Sequence, residues 1–351
     1  MSRPPALLFI SWTPSARVAA VARDLGAEVL IPALWARAWP WPARYVAQAV
    51  ATATSVAARR PRGILFTNPP FLTGALLLIM RRPLNFSLWA DCHSGVFNDP
   101  RWSRFAAWNA RVLRKCDGVV FHNSAQAREY GALCRQHLVV WSWRMTNRQS
   151  VTAYADQPAA AVIRRPTVVV PLTYAFDEPV VELLAAAGRC PDVTFLLTGS
   201  APEALKAMAP DNVTFTGWVD DADYHKLLAT ADAVGCLTTR SATMQTTVIE
   251  AMEYGKPTFV SGTDVLREWR GEDDTVFFMS SHTPDAVSAA VRAAAAARPS
   301  VTANKMRQAI IERSAAHIAQ LQEKMLVTAS CRRSRAPSRV PTHRVLRKSR
   351  P

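Results

Sequence analysis

Thr167-Val168-Val169-Val170-Pro171 opens the part of the chain from which the fold is read. It is a continuous run of apolar, mostly β-branched residues, the composition of a strand buried on both faces. Downstream, helical and strand patterns alternate. Residues 178–187, 201–208, 224–229, 246–254 and 284–297 read as helices, and 193–198, 213–217, 233–237, 258–261 and 276–279 as strands. Apolar strands separated by helices predict a parallel sheet covered on both faces.

The same alternation runs upstream. Strands are predicted at 7–11, 28–31, 64–67, 85–90 and 118–122, and helices at 42–58 and 102–116. The apolar stretch 63–80 is broken by Asn68-Pro69-Pro70, so it reads as a strand, a turn and a helix rather than as the roughly 20 residues of a membrane span. Residues 141–165 lack a period and serve as the predicted linker. The expected organisation is an N-terminal domain at 1–150, a second domain at 166–300, an amphipathic closing helix at 301–329 and a basic tail at 330–351. Two doubly wound sheets create a cleft at the carboxyl ends of their strands, where a ligand is expected.

Composition agrees with a folded chain: 351 residues, 49% hydrophobic and 20% charged. The net charge of +15 is concentrated, since residues 331–351 hold eight basic residues and no acid. Such a tail attracts a polyanion, for which an anionic membrane surface is a candidate; it lacks the stacking aromatics that would favour a specific nucleic acid. The six cysteines show no CxxC or metal spacing and suggest a reducing, cytoplasmic setting. The apolar run at 6–10 is shorter than a signal-peptide core of about 7–15 residues.

Three segments, Asn212-Val213-Thr214-Phe215-Thr216-Gly217-Trp218-Val219, Tyr224 to Asp232, and Ile249-Glu250-Ala251-Met252-Glu253-Tyr254-Gly255-Lys256-Pro257, occur in an order and spacing similar to the donor half of retaining family-4 (group 1) glycosyltransferases. Asp91-Cys92-His93-Ser94-Gly95-Val96-Phe97 resembles certain bacterial members. The resemblance implies the α/β GT-B fold, two Rossmann-like domains facing across a cleft. It also implies a retaining transfer of a sugar from a nucleotide-sugar to a glycan or polyprenyl-linked acceptor in polysaccharide synthesis, at the inner face of the plasma membrane. No cofactor or metal is implied beyond the nucleotide-sugar substrate.

Site residues follow from the same resemblance. His93 and Asp91 are the catalytic candidates. Gly199, Ser200, Gly217, Trp218, Val219, Arg240, Met244, Gln245, Thr246 and Glu250 are the donor-binding candidates, with the diphosphate at the helix N-terminus near Gln245 and Glu250 on the ribose. Glu250 could alternatively be a helix-face acid, solvated or paired with Lys256. Ser11, Trp12, Arg17 and Asn68 are the acceptor-side candidates, with Trp12 equally suited to the core. Asp221-Ala222-Asp223 reads as a helix cap rather than a metal motif, and no His, Cys and carboxylate cluster is evident.

Two positions depart from the family pattern. Ala242 stands where the first of two glutamates is usual, and Leu172-Thr173-Tyr174-Ala175-Phe176-Asp177-Glu178 lacks the usual Arg and Lys.

Overall fold

The computed structural model describes residues 6–93, 95–140, 165–241, 243–271, 274–298 and 301–334. Two six-stranded, wholly parallel sheets organise them. The first contains β1 (Leu7–Ile10), β2 (Glu28–Leu30), β3 (Gly63–Asn68), β4 (Ser87–Cys92), β5 (Gly118–Phe121) and β6 (His137–Val139), in the spatial order β2-β1-β3-β4-β5-β6. The second contains β7 (Thr167–Pro171), β8 (Thr194–Thr198), β9 (Val213–Gly217), β10 (Ala233–Cys236), β11 (Thr258–Ser261) and β12 (Val276–Met279), in the order β12-β11-β10-β7-β8-β9. Both orders reverse direction inside the sheet, between β1 and β3 and between β7 and β10. Each sheet therefore has a crevice at its strand carboxyl ends. The fold is α/β with two doubly wound sheets, as the alternation predicted.

Strands β1, β3, β4, β5, β10 and β11 are buried along their whole length, which is why they read as unbroken apolar runs. Two hydrophobic clusters separate the faces of the first sheet. Leu8, Ile10, Ile64, Phe66, Leu88 and Ala90 pack under one helical layer. Phe9, Leu65 and Trp89 pack under the helix Ala16–Leu25 and the C-terminal helix. The alternation is the period of two that a strand imposes.

The C-terminal helix, Val301–Ser334, is the tie between the halves. Ile310, Ser314, Ile318, Leu321, Met325 and Ala329 form its buried stripe at helical spacing. Near its start Arg313 donates to the Trp269 carbonyl at 2.8 Å. Further along, Gln322 donates to the Leu25 carbonyl at 3.0 Å and Ser87 to the Met325 carbonyl at 2.9 Å. Arg332 closes the helix on buried Asp117, with Nη2 2.6 Å from Oδ1. The helix thus runs five residues past its expected end at 329, and Arg332, assigned to the tail by its charge, is a structural contact. Residues 335–351 and, of the predicted linker at 141–165, residues 141–164 lie outside the described residues. Among the described residues no helix is long and apolar enough to cross a membrane.

Candidate active site

Asp91, in the last turn of pleat of β4, is fully buried. Arg17, from the first turn of Ala16–Leu25, grips it as a fork: Nε donates to Oδ2 at 3.0 Å and Nη2 to Oδ1 at 2.8 Å. His122, immediately after β5, places Nε2 3.2 Å from Oδ1. His93, immediately after β4, places Nε2 3.5 Å from Oδ2. The two imidazoles meet edge to face, with centroids 4.5 Å apart. β4 and β5 are adjacent and parallel, with Cys92 level with Phe121, so the next residue of each strand brings its histidine to one point.

Burial works against ionisation of Asp91, but Arg17 and then His122 outweigh it and hold the carboxyl well below its usual range. His122 moves the other way. Burial, and then the Arg17 charge, bring its pKa down to about 3 despite Asp91, so at neutral pH it is an uncharged imidazole. With Nε2 protonated it donates to Asp91. Arg17 and His122 are 4% and 7% exposed, whereas the His93 side chain retains 30%. His93 is therefore the member of the four that a ligand in the cleft can touch.

The second sheet supplies a differently built edge. After β10, Thr238 accepts the Arg240 backbone N–H at 3.1 Å and donates its hydroxyl to Asp177 at 2.8 Å. The Arg240 guanidinium lies 3.6 Å from Asp177 and 4.8 Å over the Phe176 ring. Its charge reaches across to Asp99 of the first half, where it adds to the dominant Arg101 hydrogen bonds in holding that carboxylate below its ordinary range. The two halves approach each other there. Gln245 precedes the helix Thr246–Glu253 without a side-chain cap, and its amide instead donates to the Leu237 carbonyl at 2.9 Å. In the first turn of that helix the Val248 N–H meets the Cys236 sulfur, and Gln245 caps none of the N–H groups with its side chain.

Glu250 is 7% exposed and accepts from the Tyr224 hydroxyl at 2.5 Å. Burial raises its pKa, and the tyrosine offsets this only in part. Of the two alternatives weighed for this residue, a solvated acid is excluded by its burial. Gly199 and Gly217 meet through the Gly199 N–H and the Gly217 carbonyl at 2.8 Å. Gly199 has φ +89° and a Cβ there would stand 2.1 Å from the Leu172 carbonyl oxygen, so only glycine fits. Ser200, Trp218 and Thr246 are exposed, Val219 is half-buried, and Met244 packs against the core beneath the helix.

Residues 175–297 match the family model described as "Glycosyl transferases group 1". Among solved structures, sucrose-phosphate synthase from Thermosynechococcus elongatus superposes with a TM-score of 0.62 at 20% identity, covering 81% of this chain and 79% of its own. HepE from Anabaena, solved with UDP and glucose, gives 0.64 at 16% identity over 92% and 99%. A UDP-forming α,α-trehalose-phosphate synthase from Burkholderia vietnamiensis gives 0.61 at 12% identity over 93% and 99%. No curated protein sequence is a significant match. The chain has the GT-B fold, and over residues 175–297 it is similar to the group 1 glycosyltransferases.

Within this GT-B frame three of the predicted residues, Asp91, His93 and Arg17, converge, although Arg17 was expected to face an acceptor and instead binds Asp91. The other acceptor-side expectations need correction. Ser11 is 1% exposed and its hydroxyl donates to the Thr13 carbonyl at 2.6 Å. Trp12 is core, its indole N–H donating to Thr52 at 3.0 Å. Asn68 is fully buried, donating to Asn109 at 2.7 Å, while its carbonyl accepts the His93 N–H at 2.9 Å. Asn68 thus holds the His93 backbone, and all three residues are buried.

The expectation that no histidine and carboxylate cluster forms is also corrected. Ligand atoms of Asp91, His93 and His122 lie within 4.8 Å of one another. Arg17 already neutralises both carboxylate oxygens, so a cation would meet a guanidinium, and the set reads as an ion-paired hydrogen-bond cluster. Asp221-Ala222-Asp223 occupies the first turn of Asp221–Thr230, capped by Asp220, which accepts the Asp223 N–H at 2.9 Å. Ala242 lies outside the described residues. In the loop after β7, Glu178 accepts from the Thr173 and Ala175 N–H groups at 3.0 and 3.1 Å, so an acid closes the loop where the family pattern has cations.

Proposed function

We propose that this protein is a glycosyltransferase that moves a hexose from a nucleotide-sugar, with retention at the anomeric carbon, to a glycan or polyprenyl-linked acceptor at the cytosolic face of a membrane, in cell-surface polysaccharide synthesis. One observation carries the reading. The Asp91, Arg17, His122 and His93 cluster stands at the carboxyl edge of one sheet, and across the cleft are Arg240 and the uncapped N-terminus of Thr246–Glu253. The HepE complexes with UDP and glucose and with UDP-glucose support a uridine donor here.

In this reading the N–H groups at Gln245 and Thr246, with Arg240, receive the diphosphate and stabilise it as it departs. Glu250 accepts from ribose hydroxyls, and the backbone at Gly217, Trp218 and Val219, with Gly199 and Ser200, borders the base. His93 hydrogen-bonds a hydroxyl of the transferred sugar. Asp91, locked by Arg17 and His122, holds the imidazole in place beside the transferred sugar.

A second reading, a GT-B protein that binds nucleotide without turnover and acts as a scaffold, is favoured by Ala242 and by Glu178 occupying the loop after β7. Incubating the protein with UDP-, GDP-, ADP- and dTDP-sugars and membrane-extracted acceptors, and measuring nucleotide release, separates the two. Release from one donor that requires acceptor supports the transferase. Donor binding with no release from any donor supports the scaffold.

A further inference from the structure

Three helices lie side by side on one face of the first sheet. Trp41–Arg59 packs against Phe71–Leu84, which packs against Ala106–Lys115. Helices covering a sheet normally turn apolar residues inward and polar ones outward. Trp41–Arg59 does the reverse along its middle. Gln48 and Thr52 are 5% and 0% exposed, bonded to the carbonyl and indole N–H of Trp12. Val46 and Val50 are 65% and 58% exposed, one turn apart on the outer face.

The apolar surface continues on both sides. Trp35 and Trp39, in an edge-to-face pair with centroids 4.9 Å apart, and then Trp41 are 69%, 46% and 67% exposed. On the neighbouring helices Ile79 and Trp108 are 75% and 60% exposed.

Charge on this face is mainly positive, although Arg59, Arg81 and Arg101 are paired with Glu28, Asp117 and Asp99. Between Glu28 and Asp117 there are eleven arginines and one lysine, and two acids. One of those acids is buried Asp91, and the other is Asp99, held by Arg101. None of the three helices carries an acid. Arg37, Arg82, Arg104 and Arg111 are exposed among the aromatics, Arg111 lying 5.1 Å over the Trp108 ring. Tryptophan with outward aliphatics suits the boundary between headgroups and acyl chains, and the exposed Arg37, Arg82, Arg104 and Arg111 suit anionic headgroups. The face also has a direction. The Asp99–Arg101 pair beside the layer lies within electrostatic reach of Arg240 in the second half, so one end of the layer approaches the cleft.

We propose that this layer docks on an anionic phospholipid bilayer, with Trp35, Trp39 and Trp41 at headgroup level and Val46 and Val50 against the acyl boundary, presenting a lipid-linked acceptor to the cleft. The delivery of an acceptor rests on the transferase reading; the docking does not, because vesicle binding requires neither donor nor turnover.

The test is co-sedimentation of the full chain with vesicles of phosphatidylcholine, with and without phosphatidylglycerol, together with tryptophan fluorescence. Wild type is expected to bind the phosphatidylglycerol vesicles with a blue shift. A full chain with Arg335→Ser, Arg339→Ser, Arg344→Ser, Arg347→Ser, Lys348→Ser and Arg350→Ser should retain most of that binding. Val46→Glu with Val50→Glu should lower the partition about tenfold or more, and Arg104→Ser with Arg111→Ser should reduce the preference for phosphatidylglycerol. Circular dichroism and the urea midpoint report whether these surface variants remain folded, and the arginine pair tests the face should the glutamate pair unfold.

The proposal is overturned if neither vesicle binds wild type, or if tail neutralisation alone abolishes binding while the face variants bind as wild type does. It is equally overturned if the glutamate pair dissociates a dimer seen by light scattering and leaves vesicle binding unchanged, which would make the face a contact between copies.

Discussion

The two halves bury a carboxylate in opposite ways. Asp91 is enclosed with a bidentate arginine and a neutral imidazole, and it remains ionised. Glu250 is enclosed with a tyrosine hydroxyl, and burial pushes its pKa up. The first site has its counter-charge built in, so it is a rigid platform for the imidazole above it. The second lacks strong donors until a ligand brings them, which suits a carboxylate awaiting the hydroxyls of a donor.

The largest expected effect comes from breaking the first arrangement. Arg17→Met leaves a buried carboxylate without its cation and should cost about 3–5 kcal/mol in urea unfolding at pH 7. The sign with pH follows from the lowered pKa of Asp91. In wild type its contribution is complete above the unfolded carboxylate range and is lost as pH falls through the folded value. In Arg17→Met the loss should begin at higher pH. A variant as stable as wild type would show that the fork contributes little.

His122 sharpens the same side. Its folded pKa of about 3 lies below the usual histidine value of 6.5, so protons bind the unfolded chain first and wild-type stability should fall as pH drops from 6.5 to 3. The slope is at most about 1.4 kcal/mol per pH unit. His122→Asn should flatten the difference curve over that window, as measured by unfolding at a series of pH values.

Glu250→Gln should act in the opposite sense. A raised folded pKa means that wild type loses stability as pH rises through it. The variant should therefore match wild type near pH 4 and exceed it near pH 8. Tyr224→Phe should have the smallest effect, a loss of about 1 kcal/mol for one hydrogen bond, measured by the same unfolding. If Tyr224→Phe cost as much as Arg17→Met, the contrast between the halves would fail.

The fold was largely legible because buried parallel strands carry continuous apolar runs, and β7, β9, β11 and β12 fall at their expected bounds. β6 escaped because His137–Val139 is a three-residue edge strand with an exposed first residue, too short for a pattern. The helix Asp264–Arg270 escaped for similar reasons of length, although Thr263 before it is an N-cap. At the site, Asp91 and His93 were visible as polar residues ending an apolar strand. His122 carries the same signal one strand later, yet its relation to His93 depends on β4 and β5 being neighbours in register, which is tertiary information. Arg17 and Asp91, 74 residues apart, have no local signature as partners. Ser11 and Asn68 misled because a polar residue at a strand end reads the same whether it lines the cleft or is buried beneath it, whereas Trp12 took the core place left open for it.

The division of labour is the central claim: the Glu250 half holds the donor and the His93 half serves the transferred sugar. Calorimetric titration of the preferred nucleotide-sugar into wild type, Glu250→Gln and His93→Ala, with nucleotide release measured on each, tests it most directly. The account predicts that Glu250→Gln weakens donor binding by about tenfold or more, and that His93→Ala binds donor nearly as wild type does but releases little nucleotide. Donor affinity that survives Glu250→Gln and is lost in His93→Ala would contradict it.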